Sequence, residues 1–430
     1  METTRRLRRM VGLLAARLPE VGLGRVADPR GRRGRRWKLP ALLTSALVTL
    51  LAGARSTADA EQLTAKLSPA MRRRLRIARR VPDTTLRDTL CALDPDEMRR
   101  LVHRAIDHAD RRKALAPDGL PFGVVAMDGK SVTLPSWNAP YVQRHVTDGG
   151  KAIGLLRTIT SSLVSARGAP CLDAFAMSGT TNERGAFAAA FAELVRVHGA
   201  RFSLITYDAG ASSEDNAATV VAAGKHYLFA LKADQPLKLQ LAQAKLERRP
   251  VLTRTEDVLS NRVSVNRTLR LADAGDAIDG AKKKPFFWKS TRTLVEVTSV
   301  TTTDDVVTAR EVRTYLCSLA ADALTPAQWL RVVRRHWGVE NDCHKTFDVA
   351  FGEDAHPWIE MAPRGTLVVL LLRRLAYNLL ALFRSVTQRS DERRAMPWRE
   401  LMSWVQWTLL AASEVHVVGL RARQVVAASA

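Results

Sequence analysis

The sequence predicts an α/β protein, and three observations lead to this prediction. Short apolar runs, two of them ending in an acidic residue, alternate with helical segments between residues 121 and 232. A segment rich in β-branched residues covers 233–324. The regions before and after have helical apolar spacing. A chain of 430 residues is also too long for one ordinary core, so about two to three domains are expected.

The charge balance indicates an anionic partner. The chain has 66 Lys and Arg against 43 Asp and Glu, a formal net charge of +23. Such a surface attracts nucleic acid, an anionic membrane face or a ribosome-like assembly, and an excess carried by Arg favours bidentate contact with phosphate. A genome rich in G and C also raises the Arg content, which is the alternative explanation. We expect nucleic-acid binding.

Residues 1–115 are predicted to form a basic helical domain. The stretch DPRGRRGRRWKLP leads into a buried helix, and MRRRLRIARR places six Arg in ten residues. These runs predict either phosphate contacts or a solvated helix face. Two further helices are expected to begin near Asp83 or Thr84 and after Asp94. The candidate DNA contacts of this domain are Arg32, Arg33, Arg35, Arg36, Arg72, Arg73 and Arg74.

The segment after Pro121 reads as strands and helices in the order β-β-β-α-β-α-β. The predicted strands are FGVVAMDGK, KAIGLLRTITSSLV, APCLDAFAMS, FSLITYDAG and KHYLFALK. The first predicted helix begins after Asn182 and Glu183, which we interpret as its N-terminal cap region. Residues 121–232 and 325–385 are expected to form one domain, interrupted by a β-rich insertion at 233–324. Residues 386–430 are a predicted C-terminal helical region.

Neither a membrane segment nor a disulfide framework is expected. The apolar runs Ala41–Ala52 and Leu367–Leu372 are too short to span a bilayer, so we interpret both as core helices. The cysteines lie far apart without paired spacing, which argues against disulfides and a cysteine-based zinc site and favours a reducing cytosol. They are Cys91, Cys171, Cys317 and Cys343.

Two aspartates stand where predicted strands end. Asp128 closes the first strand and Asp208 the fourth, so both carboxylates are expected at the carboxyl edge of a central sheet, where open α/β sheets place their ligands. Each aspartate alone could equally be a turn residue. Lys130, two residues after Asp128, is either a contact to a DNA backbone or a solvated lysine.

A third acidic candidate lies in LRVVRRHWGVENDCHKTFDVAFGEDAHPW. On a helix, His336, Glu340 and His344 are four residues apart and share one face. Glu340 would bind a metal while Arg334, Arg335 and His336 meet DNA phosphate. One alternative is a zinc site made by His336, Glu340 and His344. Another is that a neighbouring acid replaces or assists Glu340, the candidates being Asp348, Glu353 and Asp354.

Carboxylates in this arrangement suit phosphodiester chemistry. That chemistry needs a deprotonated oxygen nucleophile and neutralised charge on the phosphate and the leaving oxygen, which two Mg²⁺ or Mn²⁺ ions supply. These cations prefer oxygen ligands and take only a few carboxylates, because water and substrate phosphate complete their shells. Three carboxylates, two from strand ends and one from a helix, are sufficient.

The three segments VVAMDGK, SLITYDAG and RRHWGVENDCHKTFDVAFGEDA, in this order, resemble the DDE transposases of bacterial insertion sequences, specifically the H-repeat-associated group. The N-terminal segments resemble the helical domain that precedes the catalytic domain in that group. The resemblance implies an RNase H-like catalytic domain, metal-dependent cleavage of element-end DNA and strand transfer. It places the catalytic and metal-binding triad on Asp128, Asp208 and Glu340, with two Mg²⁺ ions and Mn²⁺ as the alternative metal.

The chain departs from the wider family's Tyr, Arg, Glu, Lys signature. Val333, His336 and Phe347 stand where Tyr, Arg and Lys would be, so those roles pass elsewhere or are absent. His336, Lys345 and Arg334 are the candidates.

The resemblance also sets the expected partners and location. They are double-stranded DNA, as element ends and target, and a second copy on DNA, because two ends must be joined. The expected location is cytoplasmic and nucleoid-associated. The alternatives are a DNA-binding relative without catalysis and a nuclease that does not transfer strands.

Overall fold

The computed structural model describes residues 2–232, 234–275, 278–279 and 284–416. Parts of the predicted turn ADAGDAIDGAKKK, residue 233 at the start of the predicted insertion, and the predicted C-terminal region from 417 onward lie outside the described residues. The chain begins with six helices, α1 (Glu2–Val21), α2 (Leu39–Leu51), α3 (Thr57–Lys66), α4 (Pro69–Leu75), α5 (Asp83–Ala92) and α6 (Pro95–Arg111).

Local signals explain where these helices begin. Ser56 and Asp59 form a capping box at the start of α3, and the Asp94 carboxylate accepts a hydrogen bond from the Asp96 amide ahead of α6. The missing N–H of Pro95 costs nothing in the first turn. The predicted starts of α5 and α6 are therefore confirmed.

The central region contains the predicted elements and one additional strand. It runs β1 (Val124–Leu134), β2 (Val142–Val146), β3 (Ala152–Ser162), β4 (Cys171–Ala176), α7 (Glu183–His198), β5 (Leu204–Tyr207), α8 (Glu214–Ala222) and β6 (His226–Leu231). Strand β2 was not predicted. It is short, carries mostly exposed side chains, and pairs only with β3 at the edge of the sheet, so it lacks the apolar alternation that marks a strand.

The segment that follows extends the same sheet. It contains α9 (Pro236–Glu247), β7 (Thr253–Ser260), β8 (Val263–Asp273), β9 (Ile278–Asp279), β10 (Lys284–Pro285), β11 (Thr293–Thr303) and β12 (Val306–Cys317). Strand β12 pairs antiparallel with β6, and the sheet order is β2-β3-β1-β5-β6-β12-β11-β8-β7, with β4 also on β3. The segment predicted as an inserted β subdomain thus continues the central sheet, and we call β7, β8, β11 and β12 the β extension.

Alternation along β1 divides the core between the two faces of the sheet. Val125 and Met127 belong to the cluster that contains residues of α7 and α8, whereas Val124 and Ala126 belong to the cluster on the other face. That second cluster contains Trp329 of α10 (Pro326–His336). The pairing of β1 with β5, and of β5 with β6, is parallel, so their carboxyl ends share one edge.

The C-terminal elements return to the N-terminal helices. After α10 the chain continues as a π-helical turn (Val339–His344), α11 (Lys345–Val349), α12 (Pro363–Leu382), a second π-helical turn (Phe383–Thr387), α13 (Asp391–Arg394) and α14 (Trp398–Ala411). Helix α12 packs against α2, α5 and α6. The hydrophobic core around α12 therefore joins the predicted N-terminal domain to the rest of the chain.

Helix α12 is longer than the apolar run recognised in the sequence. The helical stretch from Pro363 to Thr387 has the length and apolar composition to cross a membrane, but 89% of its apolar window is buried inside the protein. Burial of this kind is typical of a core helix, in agreement with the prediction made for Leu367–Leu372.

Candidate active site

Asp128 lies in the middle of β1, not at its end as predicted. The strand continues to Leu134 because residues 126–134 pair with β3. The Asp128 side chain is mostly buried, and its Oδ1 accepts a hydrogen bond from the Gly129 amide at 2.9 Å. Its partner strand β5 ends at Tyr207, so Asp128 still lies beside the carboxyl end of β5.

Asp208 follows β5 directly, as predicted. Its Oδ1 accepts a hydrogen bond from the Gly210 amide at 2.8 Å, and its Oδ2 lies 3.2 Å from Nζ of Lys232. Because Lys232 follows the last residue of β6, the two side chains come from the ends of neighbouring parallel strands.

Glu183, the first residue of α7, turns out to be a member of the site. The cap of α7 is provided by Asn182, whose side chain accepts from the Gly185 amide, so the predicted cap region is correct for Asn182. The Glu183 carboxylate instead accepts a hydrogen bond from the Tyr207 hydroxyl at 3.4 Å. Sequence reasoning missed this role because acidic residues are common in the first turn of any helix.

Asp128, Glu183 and Asp208 form a cluster that could hold a metal ion. One carboxylate oxygen from each lies within 4.8 Å of the other two, and among the described residues this is the group of three metal-ligating side chains that meets that criterion. Burial raises the pKa of Glu183, and the charges of Asp128 and Asp208 raise it further. We call these three residues the acid cluster.

Glu340 approaches the acid cluster from the opposite face of the sheet. It lies on the π-helical turn after α10. Burial raises the pKa of Glu340, and the nearby charge of Asp128 is the next largest cause. Glu340 thus faces Asp128 without being one of the three residues of the acid cluster.

The two histidines near Glu340 point to different partners. Nδ1 of His336 lies 2.9 Å from the Thr206 hydroxyl in β5, and burial lowers the pKa of His336 to about 4. Nδ1 of His344 lies 3.2 Å from Oδ2 of Asp128. Within the described residues, His336, Glu340 and His344 do not form a group that could hold a metal. The alternative zinc site therefore has no support in the structure.

The other acids considered in place of Glu340 have partners of their own. Nζ of Lys130 lies 2.7 Å from Oδ1 of Asp348 and 3.3 Å from Oδ1 of Asp354. Glu353 is fully buried and bonds to Arg374. Lys130 is itself buried, so this lysine anchors α11 and the segment after it and is not available to a DNA backbone.

The remaining basic candidates lie at several places on the molecule. Arg32, Arg33, Arg35 and Arg36 are exposed around the turn before α2. Within and beside α4, Arg72 donates to the Ala65 carbonyl, Arg73 bonds to Glu414, and Arg74 donates to the Ala15 carbonyl.

The basic candidates on α10 differ among themselves. Arg334 bonds to Asp257 at 2.5 Å and Arg335 to Asp118 at 2.8 Å, and both side chains remain partly exposed. His336 is buried, so we remove it from the candidate DNA contacts. Lys345, a candidate for a missing helper role, is exposed.

Two family models match the chain. Residues 121–379 match the model of the transposase DDE domain, and residues 22–105 match that of the DDE_Tnp_1-associated domain. The chain belongs to the DDE transposase family. The match to the DDE domain covers Asp128, Asp208, Glu340 and also Glu183, together with the whole β extension.

Two curated relatives of this chain come from Escherichia coli (strain K12). The H repeat-associated putative transposase YhhI is 27% identical over 233 residues, which cover 52% of this chain and 60% of YhhI. The putative protein YbfL is 26% identical over 290 residues, covering 65% of this chain and 70% of YbfL. The predicted relationship to the H-repeat-associated group is confirmed.

Among solved structures, a piggyBac transposase synaptic complex with hairpin DNA resembles the chain at 12% identity and a TM-score of 0.44. The alignment covers 96% of this chain and 79% of the other. This likeness is too distant to carry an argument about function.

Proposed function

We propose that this chain is a DNA transposase with an RNase H-like catalytic domain, which cleaves element-end DNA and transfers the strand in a metal-dependent reaction. The observation that supports this most is the acid cluster at the edge of the sheet, together with the charge interaction between Glu340 and Asp128. Asp128, Asp208 and Glu340 would form the DDE triad, and Glu183 would be a fourth ligand. Family membership supplies the reaction class.

The site fits hard divalent cations. Its donors are all carboxylate oxygens, as Mg²⁺ and Mn²⁺ prefer. The raised pKa values of Glu183 and Glu340 reflect negative charges that burial and mutual repulsion leave poorly stabilised. Lys232 and His344 each contact only one acid. When bound, two such ions would polarise the attacking oxygen and neutralise charge on the phosphate.

The surrounding side chains hold these ligands in place. His344 contacts Oδ2 of Asp128, and Tyr207 donates to Glu183, so each acid keeps one oxygen oriented by the protein. The wider π-helical turn carries Glu340 toward Asp128, and turns of this kind are frequent at functional sites. Neutral His336 contributes no positive charge that would compete for the ligands.

The DNA is proposed to bind across the basic surface. The exposed arginines before α2, those within and beside α4, and Arg334 and Arg335 are the proposed contacts. A net charge of +23 supports this surface. We further propose that the protein acts as a homodimer on DNA in the cytoplasm, associated with the nucleoid, and that residues 1–115 recognise the element ends.

Three variants that replace a carboxylate by an uncharged amide of similar size test the triad. Asp128→Asn, Asp208→Asn and Glu340→Gln are each expected to abolish cutting of the genomic DNA that flanks the coding sequence, with Mg²⁺ or Mn²⁺ present. Binding of that DNA should persist, because the basic surface is unchanged. Asp148→Asn, at an exposed turn, serves as the control. Cutting at the wild-type rate by any one of the three variants would remove that residue from the triad.

The same assays separate the rival functions. Cutting without joining to a target duplex would indicate a nuclease, whereas binding without cutting would indicate a relative that has lost catalysis. Purified protein is expected to hold no stoichiometric zinc, since no histidine-based site is formed by the described residues.

A further inference from the structure

Two cations, Lys232 and Arg313, stand just beyond the end of the ladder between β6 and β12. The last pair of that ladder joins Thr314 to Leu231. Extending the register by one residue places Arg313 opposite Lys232. Like charges directly opposite each other in an antiparallel pair are destabilising, and each of these cations has one acidic partner in the structure, Asp208 for Lys232 and Glu311 for Arg313.

Both cations border the acid cluster. Nζ of Lys232 lies 3.2 Å from Oδ2 of Asp208, yet its side chain is 63% exposed. The Arg313 guanidinium stacks on the Trp337 ring at 3.5 Å from the ring centroid, three residues before Glu340. Its Nη2 lies 2.6 Å from Oε1 of Glu311, and a third of its side chain is exposed. Donors of both residues therefore remain open to solvent.

His336 is near enough to both cations for their charges to act on it. Burial is the main cause of its lowered pKa, and the charges of Arg313 and Lys232 both contribute in the same direction. His336 bonds to Thr206, one residue before Tyr207 on β5. Both cations are thus close to the strand that carries Asp208.

We propose that Lys232 and Arg313 bind the phosphate backbone of the DNA strand that is cut. This inference rests on the proposed function and adds the residues that bring a polyanion to a site made of acids. In the metal-free protein Lys232 neutralises Asp208. When Asp208 serves as a metal ligand, the Lys232 ammonium is free to bond to phosphate. Stacking on Trp337 restrains the Arg313 guanidinium, whose exposed donors are available to phosphate.

Lys232 and Arg313 supply positive charge that the sequence analysis had expected from Arg334 and His336. Arg334 bonds to Asp257 on β7 and His336 is buried, so neither contacts the acid cluster in the structure. The positive charge at the site comes instead from strands β6 and β12. This gives the β extension a direct part in substrate binding.

The experiment measures DNA binding against salt for matched variants. The probe is the genomic duplex that flanks the coding sequence, bound in the presence of Ca²⁺ and checked afterwards for cutting. Lys232→Met and Arg313→Gln are each expected to reduce the slope of log affinity against log salt by about 1, since each neutralised phosphate contributes about −0.9. Arg313→Lys keeps the charge and should retain the slope.

Two control variants each remove one positive charge of the same kind at another exposed position. Arg310 is exposed three residues farther out on β12, and Lys289 is exposed next to Ser290, which bonds to Tyr227 near the start of β6. Arg310→Gln and Lys289→Met should keep the wild-type slope. An equal change in these controls would mean a diffuse basic surface and would overturn the proposal. Thermal unfolding of every variant shows whether Arg313 instead serves only to hold Trp337.

Cleavage separates this proposal from the proposed function. With Mg²⁺, Lys232→Met and Arg313→Gln should lower the single-turnover rate by roughly 100-fold, as loss of one charge-stabilising group does. If the wild type cuts and both variants cut and bind like it, the phosphate pair is wrong and the transposase function stands. If the wild type does not cut, the proposed function fails. The salt slopes then decide by themselves whether Lys232 and Arg313 bind phosphate.

Discussion

A methyl group at Gly129 would lie 2.0 Å from Oε1 of Glu183, far closer than nonbonded atoms approach. The φ angle of Gly129 is not positive, so lack of space and not backbone conformation requires glycine there. The close approach brings the start of α7 against β1 and delivers Glu183 to Asp128.

Gly129→Ala should therefore displace the Glu183 carboxylate. We expect Mn²⁺ affinity to fall by roughly 10- to 100-fold, the range for changes that disturb the support of a metal ligand. Titration calorimetry with Mn²⁺ measures this directly. Gly149→Ala is the control, because a methyl group at Gly149 meets nothing within 4 Å. Unchanged Mn²⁺ affinity in Gly129→Ala would show that Glu183 is not a ligand.

Glu183→Gln tests the fourth carboxylate without changing its size. The loss of one negative charge should lower Mn²⁺ affinity and slow DNA cutting by roughly 100-fold. Glu214→Gln is a matched control, since Glu214 also opens a helix after a strand but is exposed. If Glu183→Gln and Glu214→Gln cut DNA equally fast, Glu183 is not required for cutting.

Asp173→Asn should destabilise the fold. Burial alone would raise the pKa of Asp173, but hydrogen bonds from Arg99 and His103 override it and hold the pKa well below its usual range. The asparagine variant removes the carboxylate that bonds to both Arg99 and His103 and leaves Arg99 the longer contact to Glu193 at 3.7 Å, and breaking a buried ion pair costs about 3–5 kcal/mol. Urea unfolding measures the loss. Asp391→Asn, whose carboxylate is 99% exposed, should unfold like the wild type, and equal stability of both variants would refute a structural role for Asp173.

His198 should make stability fall as the pH is lowered. Burial lowers its pKa to about 3, Arg201 donates to Nδ1 at 2.9 Å, and Nε2 lies 3.2 Å from the Leu172 carbonyl. Below pH 6.5 the unfolded chain binds a proton at this residue that the folded protein does not bind. Folding stability is therefore lost as pH falls from 6.5 toward 3, by about 1.4 kcal/mol per pH unit.

His198→Gln removes this titration. Between pH 4.5 and 6.5, urea unfolding of the variant should depend less steeply on pH than that of the wild type, by about the slope above. The other titrating groups are common to both proteins and cancel in the comparison. Parallel curves for the two proteins would show that His198 is protonated in the folded state.

The elements of the fold were largely predictable because they depend on local signals. The alternation in β1, the starts of α5 and α6, and the apolar spacing of α7 are properties of neighbouring residues. Strand β2 was missed because it has no buried face of its own. The end of β1 was misplaced because its pairing with β3, and not the Asp-Gly dipeptide, decides where the strand ends.

The sequence by itself determined the family, the basic character of the surface, and the positions of Asp128, Asp208 and Glu340 as candidates. Only the tertiary structure decided that Glu183 joins Asp128 and Asp208, that Lys130 and His336 are buried, and that Lys232 contacts Asp208 while Arg313 stacks on Trp337. The physical reason is distance. Charges interact over a few ångströms between side chains from different strands and helices, and spacing along the chain does not set those distances.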